Sequence, residues 1–440
     1  MTLGRPASDD RRARAILTHP TVTVVRRVAA RVDPVALLAA LADRPMAVLA
    51  RHRGMTVVAA DPDEVAREGA VWDALGTAHG ARAPGESMAG GWIAMLAYDL
   101  AGTLERLPRP LPYPGGPPRA VAARYPTVAL IDDDGRCTVA STAGPQAAAH
   151  LTRLAEGTRP PRPRPVPAAR AVRSSLPGDA YLRAVGRIRE LIRAGDCYQV
   201  NLVQRIEADW DAGPLPLARG LWGAAGPTAH RAYLALPEGT VVSASPELLV
   251  QVDAGWARTA PIKGTGPAGD WAALSASAKD RAEHVMIVDL MRNDLGRCAR
   301  PGGVRVESLF ARLSTPYVEH MVSEVVAELG EGVRPVDVLR AVFPGGSVTG
   351  CPKVRAMEVI HELEPVSRSP AFGSVVTLGA DGRLEASVAI RTAWVAGDRA
   401  HYWCGGAVTW GSDPERERRE AWDKAAPFLA AVGASAPAPG

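Results

Sequence analysis

The sequence predicts an α+β fold built on large antiparallel sheets. Two strand-like runs, residues 231–236 and 240–244, flank Pro237-Glu238-Gly239, which is a typical hairpin turn. Farther along the chain, short strand-like runs alternate with amphipathic helical ones. Hairpin-linked strands with helices between them indicate antiparallel sheets rather than a doubly wound parallel sheet. A chain of 440 residues is long enough for one large domain or two of ordinary size.

The first third of the chain mixes both element types. We expect strands at residues 56–60, 92–97 and 127–132, and helices at residues 35–41 and 63–68. Five prolines and five arginines then crowd between residues 158 and 173, which is typical of an extended connector. The predicted organisation is an N-terminal region 1–157, a connector 158–176, a catalytic region 177–432 and a disordered tail 433–440.

The rest of the chain carries the stronger periodicity. A helix should begin near Pro177-Gly178-Asp179 and end at Gly195, because apolar residues recur between them at helical spacing. A strand containing Tyr198, Val200 and Leu202 should follow. Further helices are expected at residues 279–295, 335–342, 353–363 and 414–429, and further strands at 248–252, 374–378, 386–393 and 401–404.

Composition excludes several classes of protein. The formal net charge is only +4, from 51 basic and 47 acidic residues that are interspersed, which is a poor basis for binding nucleic acid. No apolar run approaches the roughly 20 residues that a membrane span needs, and no export signal precedes residue 20. The five cysteines lack CxxC spacing, so we interpret them as reduced thiols. We expect a cytoplasmic protein without nucleic-acid or membrane partners.

Lysine is rare enough here to mark special positions. The chain has only four lysines, at positions 263, 279, 353 and 424, and arginine supplies every other basic side chain. An ammonium group can lose its proton when it is desolvated and then act as a nucleophile, whereas a guanidinium stays charged. The alternative is codon drift that spared these sites, so the surroundings of each lysine have to decide.

Two segments place an acid and an amine at strand ends. Ser245-Pro246-Glu247 and the stretch around Lys263 in Pro261-Ile262-Lys263-Gly264-Thr265-Gly266 both lie beside small residues, where a substrate can approach closely. A carboxylic acid and a neutral amine there could serve as general acid and nucleophile. The alternative is a loop with a solvated lysine.

Carboxylates on two predicted helices suggest a cation site. Glu283 shares a helix face with apolar residues, and a buried carboxylate usually pairs with a cation or changes its protonation state. Glu417, Glu420 and Lys424 follow at i, i+3 and i+7, which places them on one stripe of a helix. Carboxylate oxygens suit Mg²⁺. A helix-dipole contact and an exposed face of Glu–Lys pairs are the alternatives.

A glycine-rich run, residues 343–357, leads into a predicted helix and could present backbone amides to an anion. It is not a Walker A loop, because the glycine and hydroxyl spacing around Lys353 is wrong. Alone it is a weak signal.

Together these segments resemble the chorismate-utilising enzymes, and most closely the branch that forms 4-amino-4-deoxychorismate. The motifs cover most of residues 180–425 in order, and the N-terminal third matches more loosely. The matching segments are Gly195 to Leu202, Ser245-Pro-Glu247, Pro261 to Thr265, Ser277 to Glu283, Met286 to Asp294, Phe343 to Met357, Ile390-Arg391-Thr392 and Glu420 to Lys424.

The resemblance implies a substrate with two carboxylates, one of them held through Mg²⁺. It implies that Glu283, Glu417 and Glu420 hold the ion, with Lys424 beside it, and that Lys263, Glu247 and His320 are catalytic. The remaining expected contacts to the substrate are Arg391, Gly264, Thr265, Ser347, Gly405, Gly406 and Ala407.

Lys263 distinguishes two branches of the family. Anthranilate-forming relatives resemble this chain but carry alanine there, and ammonia attacks C2 of chorismate directly. The resemblance implies that Lys263 instead adds at C2 and expels the 4-hydroxyl with help from Glu247, before ammonia enters at C4. The chain lacks the setting of a glutaminase cysteine, so the expected source of ammonia is a separate glutamine amidotransferase subunit.

Some positions depart from the family pattern. Ala371, Val376 and Thr377 stand where an aromatic residue and a Gly-Tyr pair are usual, and Cys351 replaces a common alanine. The alternatives are therefore an anthranilate or aminodeoxyisochorismate synthase, and a catalytically silent chorismate-binding subunit. The resemblance leaves open whether the product enters folate synthesis or another metabolite derived from p-aminobenzoate.

Overall fold

The computed structural model describes residues 23–77, 88–159, 167–226, 229–314 and 318–436. Within these ranges the chain forms two large antiparallel sheets with helices packed against them, so the predicted α+β class is confirmed. Parts of the predicted connector (160–166) and tail (437–440) lie outside the described residues.

The elements are as follows. The strands are β1 (Val24–Arg27), β2 (Val48–His52), β3 (Met55–Ala59), β4 (Glu64–Arg67), β5 (Gly91–Leu96), β6 (Ala120–Tyr125), β7 (Thr127–Ile131), β8 (Cys137–Ser141), β9 (Val172–Ser174), β10 (Gln199–Asp209), β11 (His230–Leu236), β12 (Gly239–Ser245), β13 (Leu248–Asp253), β14 (Trp256–Ala260), β15 (Ile262–Pro267), β16 (Ala299–Ser314), β17 (Val318–Leu329), β18 (Gly350–Cys351), β19 (Ser374–Leu378), β20 (Leu384–Val388), β21 (Thr392–Ala396) and β22 (Arg399–Val408). The α-helices are α1 (Pro34–Leu41), α2 (Ala70–Gly76), α3 (Pro145–Gly157), α4 (Asp179–Arg193), α5 (Pro214–Ala224), α6 (Trp271–Ala276), α7 (Ala278–Gly296), α8 (Pro335–Val342), α9 (Lys353–Leu363) and α10 (Pro414–Ala431), and two 3₁₀ turns cover Tyr98–Thr103 and Gly346–Val348.

Each sheet combines strands from both sides of the connector. The larger sheet runs β1-β8-β7-β3-β2-β11-β12-β21-β22-β10-β18, with β9 also paired to β10. The smaller sheet runs β15-β17-β14-β13-β20-β19-β5-β6-β4, with β16 also paired to β17. The predicted connector 158–176 therefore separates two stretches of sequence that share both sheets, and β9 of the larger sheet lies within its predicted bounds.

Two apolar clusters hold the layers together. The larger cluster contains side chains of both sheets, such as Val57 of β3 and Ile93 of β5, and buries the apolar faces of α2, α4, α7, α8 and α9. The second cluster lies on the other face of the larger sheet, where α1, α3, α5 and α10 pack. In the described part of the chain, no helix is both long and apolar enough to cross a membrane.

Local sequence signals explain where the site-bearing helices begin. The Ser277 hydroxyl accepts a hydrogen bond from the Asp280 amide (3.3 Å) at the start of α7. The Asp413 carboxylate accepts one from the Arg416 amide (2.9 Å) at the start of α10, where Pro414 fits the first turn. These caps fix where the carboxylates of both helices stand.

Two expectations about single elements are wrong. Residues 63–68 were expected to be helical but form β4, because pairing with β6 overrides the local pattern. Residues 386–393 were expected to form one strand, but β20 ends at Val388 and β21 begins at Thr392. The chain leaves the smaller sheet and enters the larger one between these strands, and Arg391 turns it with a φ of 52°.

Candidate active site

The site lies where the chain crosses between the two sheets. One crossing joins β12 of the larger sheet to β13 of the smaller sheet and carries Glu247. The other joins β20 to β21 and carries Arg391. Because β12 pairs with β21 and β13 pairs with β20, the two crossings are neighbours. The sheet topology therefore brings the Glu247 carboxyl and the Arg391 guanidinium close together, although the two residues are distant in sequence.

Lys263 lies on β15, which the rest of the smaller sheet holds in place. Its carbonyl oxygen is 3.1 Å from Nδ1 of His284, and Nε2 of that fully buried histidine is 2.6 Å from the Ser323 hydroxyl. The adjacent Gly264 has a φ of 82°, and a Cβ there would lie 3.1 Å from the Leu274 side chain. Both features fix the backbone that presents the lysine.

The Lys263 amine is desolvated. Burial lowers its pKa, opposed in part by the carboxylate of Glu283, while the Lys424 ammonium lowers it further. Within the described ranges no hydrogen bond or ion pair engages its Nζ. A lysine in this state carries a larger neutral fraction than a solvated one, as a nucleophilic amine requires.

Glu247 is a buried carboxyl poised to hold a proton. Its side chain accepts a hydrogen bond from the Ser347 hydroxyl (2.5 Å), and only 5% of the residue is exposed. Burial raises its pKa to about 7, although the Ser347 bond and the Lys263 charge both act to lower it. Near neutral pH the group is therefore partly protonated and can donate.

His320 and Thr265 face each other across the ladder between β17 and β15. The histidine Nδ1 lies 2.9 Å from the threonine Oγ1. Burial lowers the pKa of His320, and the charge of Arg391 lowers it further. The ring is thus a neutral hydrogen-bonding group close to Arg391.

The three glutamates approach one another from two helices. Lys279 Nζ lies 3.7 Å from Glu283 Oε1 and 3.9 Å from Glu417 Oε1, so an ammonium group links the carboxylates of α7 and α10. Lys424 Nζ donates to Glu420 Oε1 (2.8 Å) and to the Gly405 carbonyl (2.9 Å). The sequence motifs thus converge on one charged cluster.

The charges in this cluster are unevenly balanced. Burial raises the pKa of Glu417, and Glu420 next to it raises it further. The pKa of Glu420 is lowered in spite of burial, because the Lys424 ammonium holds it ionised. At Glu417, burial therefore outweighs the Ser412 hydrogen bond and the Lys279 and Lys424 charges, all of which act to lower its pKa.

Bare backbone faces this cluster from β22. A Cβ on Gly406 would lie 3.2 Å from Glu417 Oε2 and 3.7 Å from both Glu420 Oε1 and Lys424 Nζ. A Cβ on Gly405 would lie only 1.9 Å from the carbonyl oxygen of the facing strand β10. Glycine at both positions leaves room beside the carboxylates, and Ala407 continues the same strand opposite β10.

Hard oxygen donors around such a space suit Mg²⁺ in chemical type. Among the residues that the structure describes, however, no three His, Cys, Asp or Glu side chains stand close enough to form a metal-binding group. The Lys279 ammonium lies between two of the carboxylates instead, and its side chain is 44% exposed.

The structure excludes one rare lysine from the site and adds two residues that the sequence did not assign. Lys353 does not join the site, because its Nζ pairs with Asp294 Oδ2 (2.5 Å) between α7 and α9. Sequence reasoning did not assign roles to His284 or Lys279, which hold the Lys263 strand and link the carboxylates. The rarity of lysine was the available signal for Lys279, whereas nothing in the sequence marked His284.

Comparisons with known proteins agree on the class. The family model described as chorismate binding enzyme matches residues 34–430. Aminodeoxychorismate synthase component 1 of Klebsiella aerogenes is 39% identical over 350 residues, which are 76% of this chain and 75% of that protein. Anthranilate synthase component 1 of Streptomyces coelicolor is 37% identical over 375 residues, 78% of this chain and 73% of that protein.

Similarity extends to solved structures. Anthranilate synthase component I from Streptococcus pneumoniae superposes with a TM-score of 0.74 at 25% identity, covering 96% of this chain and 95% of that one. The chain belongs to the chorismate-binding enzyme family. It is accordingly a chorismate-utilising enzyme, as the motifs predicted.

Proposed function

We propose that the protein is component I of aminodeoxychorismate synthase, which converts chorismate and ammonia to 4-amino-4-deoxychorismate. The observation that carries the proposal is the desolvated Lys263 amine, which shares its site with the buried acid Glu247. Relatives named aminodeoxychorismate synthase component 1 support it.

The neutral Lys263 amine attacks C2 of the chorismate ring and forms a C–N bond. The ring double bonds shift, the C4–O bond breaks, and Glu247 gives its proton to the departing hydroxyl, which leaves as water. Ammonia then attacks C4, the double bonds shift back, and the bond between C2 and Lys263 breaks. The Glu247 carboxylate accepts the proton that the incoming ammonia gives up, so both groups return to their starting states.

Other residues bind and orient the substrate in this proposal. Arg391 faces one carboxylate of chorismate, with His320, Thr265 and the backbone at Gly405 beside it. Ser347 holds the Glu247 carboxyl through its 2.5 Å hydrogen bond. The remaining proposed contacts are Gly264, Gly406, Ala407 and Lys424.

Mg²⁺ would be held by Glu283, Glu417 and Glu420 and would supply positive charge to the ring carboxylate. The burial of Glu417, which raises its pKa in spite of the nearby lysines, and the space beside Gly406 support this assignment. Lys279 is exposed enough to withdraw from between the carboxylates.

Ammonia would come from a glutamine amidotransferase partner. The name component 1 of the relatives supports a second subunit. Anthranilate synthesis is the second candidate, because relatives with that name are 37–39% identical to this chain.

The test is the product formed from chorismate, Mg²⁺ and excess ammonium salt at alkaline pH. After a lyase that converts aminodeoxychorismate to p-aminobenzoate is added, chromatography should show p-aminobenzoate from the parent protein. Lys263→Ala and Lys263→Arg should both abolish it, because arginine keeps the charge but offers no neutral amine. Anthranilate from the parent would favour the second candidate. No turnover even with an amidotransferase present would contradict both and indicate a silent subunit.

A further inference from the structure

A second pocket lies outside the site described above, between a proline-rich loop and the larger sheet. It has a volume of about 390 Å³ and is bounded by Tyr113 and its flanking prolines on one side. Arg205 and Glu207 of β10 and His401 of β22 form much of the other side. This volume falls near the lower end of the roughly 300–1,000 Å³ that is typical of small-molecule pockets.

The Tyr113 pocket, as we name it, opens on the face of the sheet opposite α10. Side chains alternate along β22, so His401 and Trp403 point to one face and Tyr402 to the other. Tyr402 stacks on Phe428 of α10, with ring centroids 4.8 Å apart. Gly405 follows His401 by four residues, or roughly 13 Å of strand. The pocket is therefore separate from the carboxylate cluster.

Two aromatic rings, those of Tyr113 and His401, form part of its walls. The Tyr113 ring packs edge-on against His401, with centroids 5.7 Å apart, and against Trp403 at 6.3 Å. The Arg205 guanidinium carbon lies 4.8 Å from the centre of the Tyr113 ring. Flat surfaces of this kind favour a planar ligand.

Several polar groups of the pocket lack hydrogen-bond partners. Tyr113 Oη and His401 Nδ1 are buried and make no hydrogen bond, although Glu207 Oε2 lies 3.5 Å from His401 Nδ1. The nearest carboxylate oxygen to the Arg205 guanidinium, Glu207 Oε2, is 3.8 Å away, too far for a hydrogen bond. Buried polar groups normally have hydrogen-bond partners, so the Tyr113 hydroxyl, which makes no hydrogen bond within the described residues, points to a ligand.

The net charge of the lining residues indicates the charge of that ligand. Arg205 and Arg399 line the pocket as cations, and Glu207, which is paired with Arg399, is the lining carboxylate. Burial lowers the pKa of His401 to about 4, so its ring adds no charge near neutral pH. The lining therefore carries one excess positive charge.

We infer that the Tyr113 pocket binds a small planar monocarboxylate, an aromatic or heteroaromatic acid whose ring lies against Tyr113 and His401. Its carboxylate accepts from Arg205 and from the Tyr113 hydroxyl. This site does not depend on the proposed function, because none of its residues belongs to the catalytic cluster.

Isothermal titration with benzoate tests the inference. Arg205→Gln should weaken binding at least about tenfold, because a charge-assisted hydrogen bond to the carboxylate is lost. Arg187→Gln, a surface arginine on α4, is the matched control and should bind like the parent. The neutral analogue benzamide should bind at least about tenfold more weakly than benzoate.

Benzoate carries a carboxylate, as chorismate does, and Arg391 is the guanidinium that faces a carboxylate in the proposed active site, so Arg391→Gln separates the two sites. Binding that survives Arg391→Gln but is lost in Arg205→Gln supports the Tyr113 pocket, and the reverse pattern overturns it. Equal binding of benzamide, or no binding of benzoate, also overturns it. If Arg205→Gln fails to fold, Tyr113→Phe decides: weaker binding with an unchanged melting temperature supports the site, and unchanged binding contradicts it.

Discussion

Replacing Glu247 by glutamine should change how the stability of the protein depends on pH. Glutamine imitates the neutral acid and cannot ionise. In the parent, burial raises the pKa of this carboxyl from 4.5 to about 7. A group that holds its proton more tightly in the folded state stabilises the fold while it is protonated, and this stabilisation is lost as pH rises through the folded pKa.

The size of the effect follows from the two pKa values. Below pH 4.5 both folded and unfolded chains carry the proton, so the linkage is fully favourable. Above about pH 7 both have lost it, and the free energy of unfolding has fallen by about 3 kcal/mol. The glutamine variant lacks this contribution at every pH. The free energy of unfolding of the parent minus that of the variant should therefore fall by about 3 kcal/mol from pH 4.5 to about pH 8.

Urea unfolding followed by circular dichroism at several pH values measures this difference. Glu319→Gln is the control, because hydrogen bonds from Arg312 and Ser314 hold the pKa of Glu319 at about 2. That carboxylate stays ionised in both states above about pH 5, so its difference curve should be nearly flat from there to pH 8. A flat or rising curve for Glu247→Gln would refute the assignment of this residue as a buried acid that is protonated near neutrality.

Three further perturbations test the fold and the cation site. Gly405→Ala should lower the free energy of unfolding by at least about 3 kcal/mol in urea titrations, because its Cβ would meet a carbonyl oxygen 1.9 Å away. Gly411→Ala is the control and should cost less than about 0.5 kcal/mol, because a Cβ there has nothing within 4 Å. Equal losses in the two variants would contradict this explanation. Arg368→Leu leaves the buried Glu364 carboxylate without its cation and should lower the free energy of unfolding by about 3–5 kcal/mol. Arg187→Leu at the surface should lower it by less than about 1 kcal/mol, and similar losses for both variants would contradict this reasoning. Millimolar Mg²⁺ should raise the melting temperature of the parent but not of Glu417→Gln, and the same rise in both would argue against a role of Glu417 as a ligand.

Sequence reasoning predicted the elements with clear periodicity. The helices at 335–342 and 353–363 and the strand at 374–378 have the expected bounds. It did not predict the long antiparallel pair of β16 and β17. Most side chains of β16 are exposed, so the strand shows little alternation of apolar and polar residues. The error at residues 63–68 arose because pairing with a distant strand decided the conformation.

The candidate site shows the same division between local and distant information. Lys263, Glu247 and Arg391 were predicted from motifs, yet their proximity depends on the two crossings between sheets. Burial of Glu247 and Lys263, and hence the direction of both pKa changes, follows from layers of the fold that no local pattern encodes. Lys353 looked equally special in the sequence, but it forms an ion pair away from the site.

The interleaving of both sheets also constrains how the chain matures during synthesis. β2 needs β11 as its neighbour, and β5 needs β19, whose first residue is Ser374. At about 5–20 residues per second, an emerging N-terminal third therefore waits tens of seconds with open strand edges before its partners leave the ribosome. We expect that fragments ending near residue 157 aggregate when they are expressed alone, since unpaired edges recruit other strands.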